Sequence, residues 1–360
     1  MCRLVGSQCG GPHEPTRNAS DPTQFHVMTW FEQLTGFSEK SPDQVRRQLR
    51  IEGENLRSLA NGARYRYGRL ELPSLRELRD RVGASAFESE PFAIRELVAD
   101  VRDAHADPAH AGALFQVASQ FNLLEMISPR VTPEQGVGIY ENDRTQGPAC
   151  AIAAGAGTIF RNYFVRVQGQ PGQSARRQID CAADLGAALG NANHSLWKMQ
   201  NGYVVTSREA LTHIADRLRA ADEFERDRLR ALLRVGIQWD TQVTLQGCRH
   251  TVTQAYCSAV PVAYSNLPGE LWEPFARLVL DAAYEATVCA AILNATRTGN
   301  RRVFLTLLGG GAFGNAPAWI AGAIERALRL HPRCGLDIAI VSYGASNRLV
   351  QQLIQAVRAL

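Results

Sequence analysis

A run of glycines between an apolar segment and a helix is the first feature of this sequence that could do chemistry. Residues 303–308 are mostly bulky and apolar, which predicts a buried strand. The strand is followed by Gly309, Gly310, Gly311, Ala312, Phe313, Gly314 and Asn315. Pro317 then opens a periodic helix that ends at His331-Pro332. Glycines let backbone N–H groups approach a ligand, and a helix N-terminus favours negative charge, so the pattern predicts a site for a diphosphate. A tight turn without a ligand is the alternative.

Composition and length place the chain among ordinary globular proteins. It has 360 residues, of which 45% are hydrophobic and 21% charged, enough for one large or two ordinary domains. No apolar run approaches the roughly 20 residues that a membrane helix needs, so we expect no membrane partner. Residues 1–8 lack the apolar region of a secretory signal. We therefore expect a cytoplasmic protein, or an effector delivered to a host without a cleaved signal.

Metal, disulfide and nucleic-acid functions find no support in the pattern. The eight cysteines form no C-x-x-C pair and mostly sit in apolar segments, which favours reduced, buried thiols. The eight histidines show no ligand spacing, so we expect neither a metal nor another cofactor. No Ser/His/Asp or Cys/His set stands out. The net charge of +4 is small and dispersed, which argues against a nucleic-acid partner.

The order of segments predicts three regions. Residues 1–22 are polar and turn-rich and are expected to be a disordered tail. Residues 23–94 predict a helical N-terminal extension that packs on the main domain, with a hairpin as an option over 64–72. In residues 95–360, strands alternate with helices, which is typical of an α/β sandwich.

Individual elements follow from periodicity. The predicted strands are Ala113–Ser119, Val235–Leu245, Val252–Val262, 303–308 and Leu336–Ser342. The predicted helices are Ile179–Leu189, Arg208–Leu233, Phe275–Leu293, 317–330 and Leu349–Leu360. Phe92–Arg102 fits either a strand or a helix. Ligands in such sheets bind beyond the carboxyl ends of strands, where Asn122, Gly309–Asn315 and Tyr343 fall.

Three segments resemble one known family. Phe115–Asn122 is similar to a strand that ends in a ribose-binding asparagine, and Gly136–Pro148 stands where that family has a glycine-rich catalytic loop. Leu308–Asn315 is similar to its diphosphate loop. The family is the macrodomains, ADP-ribose-binding proteins that include poly(ADP-ribose) glycohydrolases, and the resemblance covers roughly residues 95–360. It implies a macrodomain-like three-layer α/β/α sandwich with a mixed central sheet.

One departure changes the expected substrate. The Gln-Glu-Glu signature of the glycohydrolases is missing, and Glu141-Asn142-Asp143-Arg144-Thr145 stands in its place. This argues against cleavage of poly(ADP-ribose) chains. Tyr140–Pro148 looks more like the MavL-like branch of macrodomains, found among bacterial effectors, which removes ADP-ribose from arginine.

That resemblance suggests roles for the acidic side chains. Hydrolysis at the distal ribose needs a carboxylate for an oxocarbenium-like state and a partner for the leaving guanidinium. We expect Asp143 to activate water or stabilise charge, Asp240 to grip the arginine, and Glu141 to assist either. An ion pair with Arg144 or an Asx turn is the alternative for Asp143, and a solvent-facing position the alternative for Asp240. Glu125 is less favoured, because it lies in an apolar run and could simply form a cap or salt bridge.

The remaining candidates would bind ADP-ribose. Asn122, with Gln120 beside it, would contact the distal ribose, and the loop from Gly309 to Gly314 would wrap the diphosphate. Further donors around the reacting ribose are Asn142, Thr145, Gln146 and Gly147. Phe313 would shape the ribose site or anchor the core, and Tyr343 and Asn347 would lie by the adenine.

Three functions stay open on the sequence alone. The first is an ADP-ribosyl hydrolase that acts on arginine-linked protein, whose partners are ADP-ribose and ADP-ribosylated protein. The second is a reader that binds ADP-ribose without turnover. The third is hydrolysis of ester-linked ADP-ribose or of a free ADP-ribose derivative.

Overall fold

A computed structural model describes residues 28–83, 90–245 and 247–358 of the chain. The expected disordered tail, residues 1–22, lies outside the described residues. Within these ranges the α-helices are α1 (Trp30–Thr35), α2 (Pro42–Gln48), α3 (Leu75–Gly83), α4 (Val101–Ala106), α5 (Gln146–Ala153), α6 (Gly155–Tyr163), α7 (Ala183–Leu189), α8 (Arg208–Ala220), α9 (Glu223–Arg230), α10 (Gly269–Thr298), α11 (Pro317–Leu330) and α12 (Arg348–Arg358). The strands are β1 (Leu49–Glu52), β2 (Asn55–Ser58), β3 (Arg64–Arg66), β4 (Arg69–Glu71), β5 (Ala93–Val98), β6 (Leu114–Ala118), β7 (Arg166–Val167), β8 (Gln170–Pro171), β9 (Trp197–Gln200), β10 (Tyr203–Thr206), β11 (Gly236–Gln242), β12 (Thr251–Cys257), β13 (Arg302–Leu305) and β14 (Asp337–Ser342).

A seven-stranded mixed sheet forms the centre of the fold. Its order is β4-β11-β12-β6-β13-β14-β5. The five strands from β12 to β5 are parallel, whereas β11 runs antiparallel to β12 and β4 runs antiparallel to β11. Parallel strands buried on both faces are made of nearly continuous apolar residues, as in β6 and β13. The parallel strands therefore end at one common edge.

Helices cover both faces of this sheet. On β6 the ring of Phe115 stacks on His105 of α4 with ring centres 3.7 Å apart. The next residue, Gln116, donates instead to Thr287 of α10 at 3.0 Å. Because consecutive side chains on a strand point to opposite faces, α4 and α10 lie on opposite sides. α5 packs beside α4, and α11 packs beside α10. The predicted three-layer α/β/α sandwich with a mixed central sheet is confirmed.

The N-terminal segment combines helices with short strands. Ser41 caps α2, which begins at Pro42, and α3 packs on α10. The optional hairpin over 64–72 does not form, because β3 pairs with β2 in a small sheet while β4 pairs with β11. The segment thus supplies an edge strand to the central sheet.

Three predicted helices differ from the structure in length. The one predicted over Ile179–Leu189 begins only at Ala183. Arg208–Leu233 is divided into α8 and α9, since Ala221 is extended and the side chain of Asp222 caps the new helix at Glu225. The apolar helix that feeds β13 is longer than expected. α10 has 30 residues and is long and apolar enough to cross a membrane, but 89% of its most apolar window is buried inside the fold.

Candidate functional site

A cavity of about 880 Å³ opens where the parallel strands β6, β13, β14 and β5 end. The predicted site residues that line it are Gln120, Glu141, Asp143, Thr145, Gln146, Gly147, Gly309, Gly311, Ala312, Phe313, Tyr343 and Asn347. The predicted site residues outside the lining are Asn122, Asn142, Asp240, Gly310, Gly314 and Asn315. The strand-end position agrees with the general rule for ligands in α/β sheets.

The glycine loop presents unpaired backbone donors to this cavity. The N–H groups of Gly309, Gly311, Ala312 and Phe313 have no acceptor within the described part of the chain. All four residues line the cavity. Adjacent N–H groups that point into a concave surface form a natural anion site. The loop can therefore bind a phosphate or diphosphate through its backbone alone.

Hydrogen bonds within the loop hold its shape. Gly309 has φ +73°, and a Cβ there would lie 2.5 Å from the Cβ of Ala259. The side chain of Asn315 donates to the carbonyl of Val260 at 2.9 Å, and its N–H donates to Gly309. Asn315 is buried and thus supports the loop from behind. Glycine is required at 309 both by the backbone conformation and by this close approach.

The helix after the loop contributes less than expected. α11 begins at Pro317, which has no N–H group, and neither Pro317 nor Ala316 lines the cavity. The sequence predicted that the helix N-terminus would meet the anion. In the structure the free amides belong to the loop itself, one turn earlier.

Glu125 is a buried carboxyl group on the cavity wall. Its side chain is 3% exposed, and Oε1 has no hydrogen-bond partner within the described residues. Its N–H donates to the hydroxyl of Tyr140 at 3.0 Å. A Cβ on Gly147 would lie 2.4 Å from Glu125 Oε2, so the glycine leaves room for the carboxyl group. An unpaired buried carboxyl group is costly, which makes Glu125 a functional candidate.

The surroundings of Glu125 favour its neutral form. Burial raises its pKa well above the ordinary value, the positive charge of Arg161 acts in the opposite direction, and the charge of Asp143 raises it further. The coupling to Asp143 places two carboxyl groups within electrostatic reach in one cavity. Pairs of acids with different environments are typical of sites that need both an acid and a base.

Asp143 and Glu141 lie at the cavity mouth. Asp143 Oδ1 accepts the N–H of Thr145 at 2.8 Å, which is the Asx-type bond that the sequence allowed as an alternative. Glu141 is exposed, and its Oε2 accepts the N–H of Trp30 at 3.1 Å. The indole of Trp30 donates to the carbonyl of Val137, also at 3.1 Å. The first helix of the N-terminal segment thus forms part of the rim.

Asp240 lies away from the cavity, contrary to expectation. Its two carboxylate oxygens accept hydrogen bonds from Arg297 at 2.7 and 2.8 Å, and Arg66 lies 3.7 Å away. It sits at a bulge in β11, beside the residues where the parallel strand β12 begins. The cavity is at the end of the parallel strands, so Asp240 is at the opposite edge of the sheet. Its carboxylate is occupied by a structural ion pair.

Asn122 is also placed outside the cavity. It is fully buried, its amide donates to Gln178 at 2.8 Å, and its carbonyl oxygen accepts the N–H of Leu124 at 3.1 Å. A Cβ on Gly202 would lie 2.5 Å from that oxygen. These contacts use both ends of the amide to shape the loop that leads to Glu125. The expected contact with a distal ribose is therefore not available in this arrangement.

Two predicted glutamines line the cavity but have structural partners. Gln146 accepts the N–H of Ala118 at 3.1 Å and donates to the carbonyl of Gln116 at 2.9 Å, which joins α5 to β6. Gln120 accepts the N–H of Met126 at 2.8 Å. Both side chains hold the wall of the site in position.

The other end of the cavity is built from the ends of β5 and β14. Asn347 caps α12 by accepting the N–H of Leu349, and its own N–H donates to Glu96 at 2.7 Å. Glu96 also accepts from Ser342, and these hydrogen bonds lower its pKa to about 2 although burial acts in the opposite direction. Tyr343 is 78% exposed and free to cover a planar group.

Several lining residues were not among the predicted site residues. They include Trp30, Gln33, Asp100, Arg102, Ser119, Glu125, Tyr203, Tyr264 and Thr306. Asp100 caps α4 and pairs with Arg102 at 2.7 Å. Its position after β5 was a usable signal, but Phe92–Arg102 could not be assigned to one element. Phe313 packs against Tyr203 and Tyr264 with ring centres 5.2 and 5.6 Å away, so it joins an aromatic cluster at the wall.

Comparisons with known proteins give distant matches in structure only. No protein-family profile and no curated protein sequence matches the chain. Its fold is similar to poly(ADP-ribose) glycohydrolase from Thermomonospora curvata, with 12% identity, a TM-score of 0.44, and coverage of 88% of this chain and 95% of that one. The same enzyme bound to the inhibitor ADP-HPD gives 13% identity, a TM-score of 0.41, and coverage of 87% and 95%. Poly(ADP-ribose) glycohydrolase from Deinococcus radiodurans in complex with ADP-ribose gives 13% identity, a TM-score of 0.41, and coverage of 81% and 92%. These overlaps are too loose to assign a family or an activity to this chain.

Proposed function

We propose that this protein hydrolyses the glycosidic bond between the distal ribose of ADP-ribose and a modified protein side chain, with arginine as the preferred side chain. One observation carries the proposal: Oε1 of the buried Glu125 and the amides of the glycine loop, all without hydrogen-bond partners among the described residues, lie in residues that line one cavity. The amides suit a diphosphate, and the carboxyl groups suit a reacting sugar carbon.

Hydrolysis would use two carboxyl groups. Asp143, at the mouth, takes a proton from water as the water oxygen bonds to the anomeric carbon. The bond from that carbon to the side-chain nitrogen breaks, and the electron pair leaves with the neutral guanidine. The guanidine then takes up the proton that Asp143 removed from water, which restores the Asp143 carboxylate. Glu125, ionised when a cationic substrate fills the site, faces the positive charge that develops on the sugar.

The rim supports arginine as the leaving side chain. Glu141 is exposed beside Asp143, and carboxylates bind the planar guanidinium through paired hydrogen bonds. Asp240, the earlier candidate for this task, is occupied by Arg297 at the opposite edge of the sheet. Glu141 therefore takes the proposed role of arginine partner.

The buried environment of Glu125 favours a second candidate, hydrolysis of oxygen-linked ADP-ribose. A carboxyl group whose pKa is raised by burial stays protonated and can donate that proton to a departing oxygen. An arginine guanidinium is already protonated in the substrate, so it can leave as a neutral guanidine and needs no such acid. The two candidates thus require opposite ionisation states of Glu125.

Turnover of two substrates tests the proposal and separates the candidates. The protein is incubated with arginine-linked and with serine-linked ADP-ribosylated peptide, and released ADP-ribose is measured across pH. Arginine-linked hydrolysis should rise with pH through the pKa of Glu125, whereas oxygen-linked hydrolysis should fall. Binding of ADP-ribose without release from either peptide would identify a reader and refute the proposal.

A pair of aspartate variants provides the matched control. Asp143→Asn should lower kcat by at least about 100-fold, the low end for loss of a general base, and leave ADP-ribose binding in place. Asp240→Asn should leave kcat unchanged, because that residue lies at the other edge of the sheet. Equal losses in both variants would contradict the assignment.

A further inference from the structure

The segment that carries Glu125 contains a strained residue. Leu123 has φ +64°, a left-handed conformation that side chains other than glycine rarely adopt. Its N–H donates to Gln120 at 2.9 Å, and its side chain is buried against Gly236, where a Cβ would lie 2.3 Å from Leu123 Cδ1. Such a conformation persists only where the surroundings fix it. Here it redirects the chain two residues before Glu125.

Arg161 of α6 holds this turn in place through a hydrogen bond. Its side chain is 1% exposed, and its Nε donates to the carbonyl of Leu123 at 3.1 Å. Gln173 ties the two together, since its amide donates to the carbonyls of Asn122 and Arg161 at 3.0 and 3.1 Å. The turn and the arginine therefore form one hydrogen-bonded unit.

The guanidinium of Arg161 is buried among neutral partners. It donates to Gln238 at 3.3 Å and to Thr158 at 3.0 Å, and it lies 3.7 Å from the ring centre of Tyr256. A buried cation usually has a carboxylate hydrogen-bonded to it. The positive charge of Arg161 instead acts on the carboxyl group of Glu125, whose ionised form it favours.

We propose that Arg161 is a positioning residue for Glu125: its hydrogen bond fixes the left-handed turn that directs the carboxyl group into the cavity, and its guanidinium, hydrogen-bonded only to neutral groups among the described residues, acts as the counter-charge of Glu125. The inference rests on the proposed function only where it concerns the effect of Arg161 on turnover. The effect of Arg161 on Glu125 itself can be measured without any substrate. Arg161 does not line the cavity, so it would act on the reaction through Glu125.

Other titratable groups around Glu125 come from several elements. Asp143 lies at the cavity mouth and acts on the charge of Glu125. The hydroxyl of Tyr140 accepts the N–H of Glu125. The charge of Glu125 also acts on three further groups, which are Cys150 of α5, Tyr203 of β10 and Tyr256 of β12. Burial raises the pKa of each of these tyrosines and of the cysteine, so they stay neutral near pH 7. Arg161 and Asp143 are thus the two charges that oppose each other at Glu125.

Carboxyl ¹³C NMR of the ligand-free protein tests the assignment. In Arg161→Gln the titration midpoint of Glu125 should rise by about one to three pH units, the range for loss of a nearby opposite charge. Arg161→Lys keeps the positive charge, so the titration midpoint of Glu125 should rise less. Arg230→Gln, which removes a buried arginine from α9, is the matched control and should not move it. An unchanged midpoint in Arg161→Gln, with only a lower Tm, would overturn the proposal.

A second measurement needs no variant of the arginine. In the wild-type protein, the ¹⁵Nε resonance of Arg161 should shift with pH at the midpoint of Glu125, because coupled groups report each other's titration. The shift should disappear in Glu125→Gln. An Arg161 resonance that stays flat through the titration of Glu125 would refute the coupling even if Arg161→Gln does not fold. Absence of hydrolase activity would leave both NMR results standing, so the two proposals fail separately.

Discussion

At the scale of single residues, the candidate site depends on a carboxyl group with one oxygen that has no partner among the described residues. Glu125 is buried, and Oε1 accepts no hydrogen bond from the described residues. Burial raises its pKa, so the folded state prefers the protonated form. A residue that lowers stability at neutral pH is retained most readily where it does chemistry.

Glu125→Gln should separate activity from stability. Glu125 has a higher pKa in the folded state than in the unfolded state, so its protonation stabilises the fold. This stabilisation is complete below the unfolded-state pKa and is lost as pH rises through the folded-state pKa. The variant should therefore have a higher free energy of unfolding than the wild type, and the difference should grow as pH rises above about 4.5. It should reach about 1.4 kcal/mol for each pH unit by which the folded-state pKa of Glu125 exceeds its unfolded-state pKa. Its kcat should fall at least about 100-fold. Denaturant unfolding at several pH values provides the measurement.

An exposed glutamate supplies the control for that experiment. Glu270→Gln, at the start of α10, should change neither kcat nor the pH dependence of unfolding. A Glu125→Gln variant with full activity would show that the buried carboxyl group is structural.

At the scale of elements, the glycine loop could be predicted from the sequence and the acidic residues could not. Consecutive glycines between a strand and a proline-started helix form a local pattern, and α11 begins at Pro317 as predicted. β13 ends at Leu305, three residues before the end of the predicted strand over 303–308. The aim of Glu125 depends instead on a left-handed Leu123 and on Arg161, which lies 38 residues later in the sequence. The prediction placed Asp240 at the wrong edge of the sheet. Alternation of apolar and polar residues predicts a strand but not its direction, and β11 runs antiparallel to its neighbours.

Gly309→Ala should damage the loop and the affinity for ADP-ribose. The new Cβ would lie 2.5 Å from Ala259 at a residue with φ +73°, so the loop must shift and misalign its free amides. We expect the Kd for ADP-ribose, measured by calorimetry, to rise at least about tenfold, or about 1.4 kcal/mol.

Gly299→Ala is the matched control for that substitution. Gly299 ends α10 with φ +76° and has open space around its Cβ position. It carries the same kind of backbone strain, so Tm should fall in both variants, while ADP-ribose affinity should fall only in Gly309→Ala. Unchanged affinity in both would show that the loop does not bind the ligand.

At the scale of the whole molecule, the N-terminal segment is joined to the sandwich by a partly buried charge network around Glu285. Arg79 of α3 donates to Glu285 of α10 and to Asp227 of α9, and Arg326 of α11 also donates to both. Glu285 is 2% exposed; burial acts to raise its pKa, but the hydrogen bonds from the two arginines lower it overall. Four helices from distant parts of the chain thus meet at two carboxylates, those of Glu285 and Asp227. Such a network cannot be deduced from sequence, because each charged residue alone looks like part of a solvated helix face.

Arg79→Met should destabilise the whole fold. The variant loses the hydrogen bonds from Arg79 to the buried Glu285, which keeps Arg326 as a partner, so the free energy of unfolding should fall by about 1.5–3 kcal/mol at pH 7. The lowered pKa of Glu285 gives stability that is lost as pH falls, and the difference between wild type and variant should therefore narrow in acid. Arg76→Met, on the exposed side of α3, should change stability by less than about 0.5 kcal/mol. A difference that stays constant with pH would argue against the role of Glu285.

A crystal structure of the protein with ADP-ribose tests the central claim most directly. The account predicts the diphosphate within hydrogen-bond distance of the amides of Gly309, Gly311, Ala312 and Phe313, and the anomeric carbon of the distal ribose beside Glu125 and Asp143. A ligand bound elsewhere, or one whose distal ribose points away from both carboxyl groups, would contradict it.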